Sequence, residues 1–274
     1  MLSALRTPTM RWAIGGWSFF IAENYVLSEN RDQLCAALGS SQNYHLLYGS
    51  VSTVATASIA YAYFYRVRNA LPLQWPIAAG APSGRLAACF ALQALGLAGL
   101  AQALPKAQIP VVYQGSVDGS VGGSAAASSM EPTPQPVKSA FKIRCPIDFK
   151  AEASADGSAR GADRVTRHVG LWSFAFVCLG EALAVASVPQ AAWLAMPTLV
   201  ALFGGAHTDS RHARGIGGVL SPEREAQTSN LPFWAILSGK QGSGAMSSFL
   251  AEAKLLNAGA AAAIAALWML RRLP

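Results

Sequence analysis

The chain carries four histidines, His45, His168, His207 and His212, and two dense polar clusters surround three of them. In Arg164-Val-Thr-Arg167-His168, two guanidinium groups and an imidazole stand directly before an apolar run. If that run is a helix, the unpaired N–H groups of its first turn and its dipole favour an anion there. In His207-Thr-Asp209-Ser-Arg211-His212, an acid sits between two imidazoles, where it can orient a ring. Imidazole, carboxylate and guanidinium in one place suit a metal or cofactor pocket. The same residue types also gather at helix ends merely as anchors, and the sequence leaves both readings open. Glu23 and Glu181 are carboxylates inside apolar runs, where an ionisable group is costly and turns inward to a partner. Signatures of common soluble chemistry (GxSxG, a Walker loop, HExxH, GxGxxG) are absent, and Gly215-Ile-Gly217-Gly218 reads as a turn. The four cysteines show no CxxC spacing, and Cys89 and Cys178 sit in apolar runs as small hydrophobes.

The elements that would position these residues are set by hydropathy. Of 274 residues 52% are hydrophobic and 13% charged, about half the charge of a typical soluble domain. Neither Leu46 to Tyr65 nor Leu86 to Leu104 contains an Asp, Glu, Lys or Arg. This excludes a disordered chain, a coiled coil and an ordinary water-soluble enzyme, and predicts an all-α, polytopic transmembrane helix bundle in contact with membrane lipid. Six spans are expected, near residues 12–27, 45–65, 86–104, 169–188, 191–206 and 255–270, with five as the alternative count. Pro197 should bend or unwind the fifth, and a polar loop should follow it from His207 to Glu252. His45 then begins the second span, His168 begins the fourth, and His207 and His212 follow the fifth. All four imidazoles therefore fall on one side of the membrane. Pro189 and Gln190 leave only a tight turn between the fourth and fifth spans, which should bring His168 and His207 into one pocket.

Residues 106–163 are expected to form a flexible extramembrane loop, because Gly, Ser, Ala and Pro dominate from Gly115 to Pro136 and offer little to bury. Within it, Phe141 to Phe149 alternates apolar residues like a short strand. The net charge of +7 sits beside apolar runs, as at Arg66, Arg68, Arg271 and Arg272. That placement suits lipid headgroups, and without a basic stripe carrying interleaved aromatics, nucleic acid is not an expected partner.

Three stretches carry a family likeness. RVTRHVG (Arg164 to Gly170), LFGGAHTDSRHARG (Leu202 to Gly215) and SNLPFWAILSGKQ (Ser229 to Gln241) together resemble the NnrU family of membrane proteins, in its plant and algal 15-cis-ζ-carotene isomerase branch. The resemblance implies a plastid membrane enzyme, in thylakoid or inner envelope, that isomerises a carotenoid polyene and carries haem b. It implies His168 as a haem ligand; Arg164, Arg167, His207, Asp209 and Arg211 are the candidate cofactor-binding residues of the two polar clusters described above. The family's second ligand is a histidine of an early helix. Here Glu23 and Asn24 stand at that point, which leaves His45 as the substitute ligand, and Val169 replaces the proline after the Arg-His pair. The competing expectation is a non-catalytic accessory subunit of a larger, pigmented membrane complex.

Overall fold

The structure, a computed structural model, describes residues 7–68, 83–102, 106–107, 111–114, 140–143, 147–148, 159–185 and 187–270. It is mostly helical. Helix α1 (Pro8–Glu29) starts where the Thr7 hydroxyl accepts the Met10 N–H at 3.3 Å and Pro8 fills the first turn, where no amide hydrogen is needed. A short α2 (Arg31–Ala37) turns the chain. Helix α3 (Ser41–Tyr61), capped by the Ser40 hydroxyl, runs back along α1 into a π-turn over Ala62–Val67. Helices α4 (Ser83–Gln102), α5 (Val169–Ala184) and α6 (Val188–Leu199) follow. Helix α6 passes through a second π-turn, Val200–Gly204, into α7 (Gly205–Ala213). Three short helices, α8 (Pro222–Gln227), α9 (Trp234–Leu237) and α10 (Ala245–Glu252), precede α11 (Leu255–Leu270). Helix α4 packs along α5 and α11, α1 along α3 and α6, and the α5–α6 hairpin joins the two groups.

Small residues sit at several helix contacts while many large apolar ones face outward. Ala265 of α11 is 0% exposed while Leu267 is 66% exposed, and Ala13 and Gly16 of α1 are buried while Phe19 is not. A Cβ on Gly96 of α4 would come within 2.6 Å of the Ser173 carbonyl oxygen of α5, and one on Gly180 within 2.7 Å of the Gln93 side chain. Glycine lets these backbones approach, as in helices that associate through van der Waals contact rather than by hiding large apolar side chains from water. The two carboxylates in apolar runs do turn inward. Glu23 accepts from the Ser52 hydroxyl at 3.0 Å and from Asn24, and Glu181 accepts from the buried Gln93 amide at 3.1 Å.

Among the described residues, two helices are long and apolar enough to cross a membrane: Ser83–Gln102 and the continuous Val188–Ala213. A third crossing counts if α10 and the apolar helix after it, which meet at 81°, are taken together. Length and hydropathy thus support two or three of the six expected crossings. The expected spans at 12–27 and 45–65 are helical, but polar residues such as Glu23, Asn24, Gln42 and Asn43 dilute α1 and α3. The span expected at 169–188 is a 16-residue helix, about 24 Å long.

The span expected at 191–206 is longer than foreseen. Its helix absorbs Pro197 and continues through the π-turn to Ala213, so the polar residues from His207 onward lie on a helix, not in a loop. The segment up to Glu252 is largely helical too, through α8, α9 and α10. Within the segment expected to be a flexible loop, β1 (Lys106–Ala107) pairs antiparallel with β4 (Ile147–Asp148), and β2 (Val111–Gln114) with β3 (Ala140–Ile143). A 3-10 turn at Gly161–Arg164 closes the segment, and its remainder lies outside the described residues.

Candidate functional site at the start of α5

The approach to α5 is zipped to the loop before α9. The Phe233 N–H donates to the Val165 carbonyl at 2.8 Å, and the Arg167 N–H to the Ser229 carbonyl at 2.9 Å. The Thr166 hydroxyl donates to the Asn230 carbonyl at 2.6 Å. Asn230 then joins three elements. Its side-chain oxygen accepts the Trp172 indole N–H of α5 at 3.1 Å, and its amide donates to the Leu202 carbonyl in the π-turn at 3.0 Å. Gly205 leaves the room, since a Cβ there would run into the Asn230 amide.

Asp209 of α7 faces this seam and holds two residues at once. One carboxylate oxygen accepts from Arg167 Nε at 3.1 Å and from a terminal guanidinium nitrogen at 2.7 Å. The other lies 2.9 Å from His168 Nε2. The remaining guanidinium nitrogen of Arg167 reaches the hydroxyl and carbonyl of Thr228 at 3.2 and 3.3 Å. An ionised carboxylate can only accept, so the Nε2 that faces it carries the hydrogen. Chemically this is an acid-oriented imidazole, its carboxylate shared with a guanidinium.

A second polar layer encloses the seam. Arg164 grips Glu252 of α10 at 2.9 and 2.8 Å, and the Gly161 N–H adds a bond at 2.5 Å. The Arg164 guanidinium holds the Glu252 carboxyl down at about 2, well below the usual range. Arg224 pairs with Asp163 at 2.9 Å, yet burial pushes the Asp163 carboxyl up despite that cation. The Gln241 amide donates to the Arg164 and Gln227 carbonyls, each at 2.9 Å.

The residues marked in the sequence therefore separate. Arg167, His168 and Asp209 meet directly, and Arg164 lies in the layer beside them. His207 and Arg211 do not join them. Residues 207 and 209 of one helix point some 200° apart. His207 accordingly faces α1, where its Nε2 lies 2.8 Å from the Ser28 hydroxyl and its ring 4.2 Å from that of Tyr25. This corrects the expectation that His168 and His207 share a pocket. Arg211, four residues on from His207 and so on the same helix face, lies against Gly217, where a Cβ would sit 2.6 Å from its guanidinium. His45 is exposed in the first turn of α3, its ring 5.5 Å from that of Tyr44. The four imidazoles still lie at one end of the helices. Tyr44 bonds the Leu27 carbonyl at 3.2 Å, next to the Ser28 that meets His207.

Sequence reasoning missed Asn230, Trp172, Thr166, Thr228 and Gly205. The available signal was that Thr166, Gly205 and Asn230 fall within the three family-like stretches. Among the described residues, no three His, Cys, Asp or Glu side chains gather to hold a metal ion. Comparison of the chain with family models, with curated proteins and with solved structures returns no match in any of the three.

Proposed function

We propose that this chain is an integral membrane protein of the NnrU type whose ligand is a carotenoid polyene. The reaction we assign is cis–trans isomerisation of that polyene, the activity of the isomerase branch it resembles. One observation carries the reading. The three stretches that bear the resemblance, separated by up to some sixty residues of sequence, close on one another through Arg167–Asp209, Thr166–Asn230, Asn230–Leu202 and Gln241–Arg164. Segments that answer to one family pattern and fold into one seam are parts of one site. Large apolar side chains turned outward along α4 and α11 support a lipid surrounding, the phase into which a long polyene partitions. A plastid location follows from the resemblance and belongs to this proposal.

The haem b that the resemblance implies would supply an iron to bind the polyene, but the residues in place do not fit it. An imidazole held by a carboxylate, as His168 is by Asp209, can still ligate a metal, but the substitute second ligand is not beside it: the ring of exposed His45 rests against Tyr44. In the position expected for an early-helix ligand, Glu23 is buried and bonded to Ser52. No step is derived through haem. That misfit favours a second reading, a non-catalytic accessory subunit of a larger pigmented membrane complex.

The test is the visible spectrum of the protein purified in detergent from a host supplied with haem and making carotenoids. A carotenoid spectrum that co-purifies with the wild type, and is lost when Asn230→Ala loosens the seam, supports the proposal. A Soret band lost in His168→Ala would overturn the haem misfit described above. A colourless, folded preparation would remove the polyene ligand, and co-purification of a large complex would then favour the accessory reading.

A further inference from the structure

Helices α9 and α10 are too short to cross a membrane, yet they are packed inside out. Helix α9 buries Ala235 at 0% exposure and turns out Trp234 at 53% and Leu237 at 76%, three positions apart on one face. Helix α10 buries Ala245 at 3% and turns out Met246 and Leu250, four positions apart, the latter 53% exposed. A water-facing helix does the opposite, since burying leucine is worth about 1.5–3 kcal/mol more than leaving it out. Orientation gives the second observation. Helix α10 meets the apolar helix that follows it at 81°. With that helix upright in a bilayer, α10 lies flat along the surface. Lys240 and Lys254 are exposed at the two ends of the 240–254 segment, where ammonium groups reach headgroup phosphates.

From this we infer that α9 and α10 form an in-plane anchor seated in the headgroup layer of the lipid, with Trp234, Leu237, Met246 and Leu250 as its immersed side chains. The anchor is tied to the site. The Phe233 N–H bonds Val165, and Phe233 itself holds φ +62°, a left-handed conformation that a bulky residue adopts only when its surroundings impose it. Arg164–Glu252 fastens the far end of α10 to the same segment. The anchor therefore sets the start of α5, and His168 with it, at the level of the headgroups. This inference rests on the membrane reading proposed above.

The experiment compares the full chain with Trp234→Phe and Trp268→Phe in vesicles, so that the differences isolate Trp234 of the anchor and Trp268 of α11. Quenchers are lipids brominated at shallow or deep acyl positions, and aqueous acrylamide. Trp234 is expected to lose at least half its emission to shallow bromines and little to deep ones or to acrylamide. Trp268 quenched by bromolipid with Trp234 quenched only by acrylamide would overturn the anchor and leave the membrane reading standing. If neither tryptophan responds to any bromolipid, both fall. A double Leu237→Ser, Leu250→Ser variant gives an independent arm, expected to shift the Trp234 emission to the red in vesicles and to leave it unshifted if the face already meets water.

Discussion

Asp209 holds Arg167 through one carboxylate oxygen and His168 Nε2 through the other, the latter at 2.9 Å. The pair lies mostly buried, so removing the acid leaves a guanidinium that, among the described residues, keeps only Thr228 as partner. Asp209→Ala is expected to cost about 3 kcal/mol, the scale for breaking a buried pair from one side. Arg167→Met combined with Asp209→Leu should cost less than the two single changes added together. Thermal unfolding in detergent, followed by near-ultraviolet circular dichroism, measures both.

The Arg164–Glu252 tether carries a pH signature. The Glu252 carboxyl is held down at about 2 in the folded chain, below its ordinary value of 4.5. Its contribution is therefore fully present above that ordinary value and is lost as pH falls toward about 2. Hydrogen exchange at the Gly161 amide, which bonds Glu252, is expected to stay slow at pH about 5 and to accelerate below about 3, after correction for intrinsic rates. Glu252→Gln should remove that acid step and speed exchange at all pH values.

Gly205 is the tightest point of the seam. Gly205→Ala would press a methyl into the Asn230 amide, which is pinned by Trp172 on its oxygen and Leu202 on its nitrogen. Overpacking of this kind costs about 1–3 kcal/mol. Fluorescence should report the lost indole bond as a shift in Trp172 emission, absent from Gly204→Ala, whose Cβ would meet only Val200 at 3.9 Å.

Much of this was legible before folding. Charge-free runs located α3 and α4, and the Arg-His step before an apolar run marked the start of α5. Of the six expected crossings, length and hydropathy carry two or three among the described residues, because polar residues such as Glu23 and Gln42 dilute α1 and α3. The largest error lay after Ala206, where polar composition read as a loop from His207 onward, in which His207 and Asp209 are neighbours. The helix instead runs on through the π-turn at Val200–Gly204, and helical spacing then sends those two residues to opposite faces. Asn230 was invisible for a different reason: its role lies in three bonds to distant segments, and no local pattern encodes them.

The most direct test follows the polyene itself. Membranes of a bacterial host that accumulates a 15-cis carotene, kept in the dark and expressing this chain, can be extracted and the carotene isomers separated by chromatography. The account expects a rise in the 15-trans isomer over membranes lacking the chain, abolished by Asn230→Ala. An unchanged isomer ratio, with the chain folded and membrane-inserted, would contradict the isomerase reading.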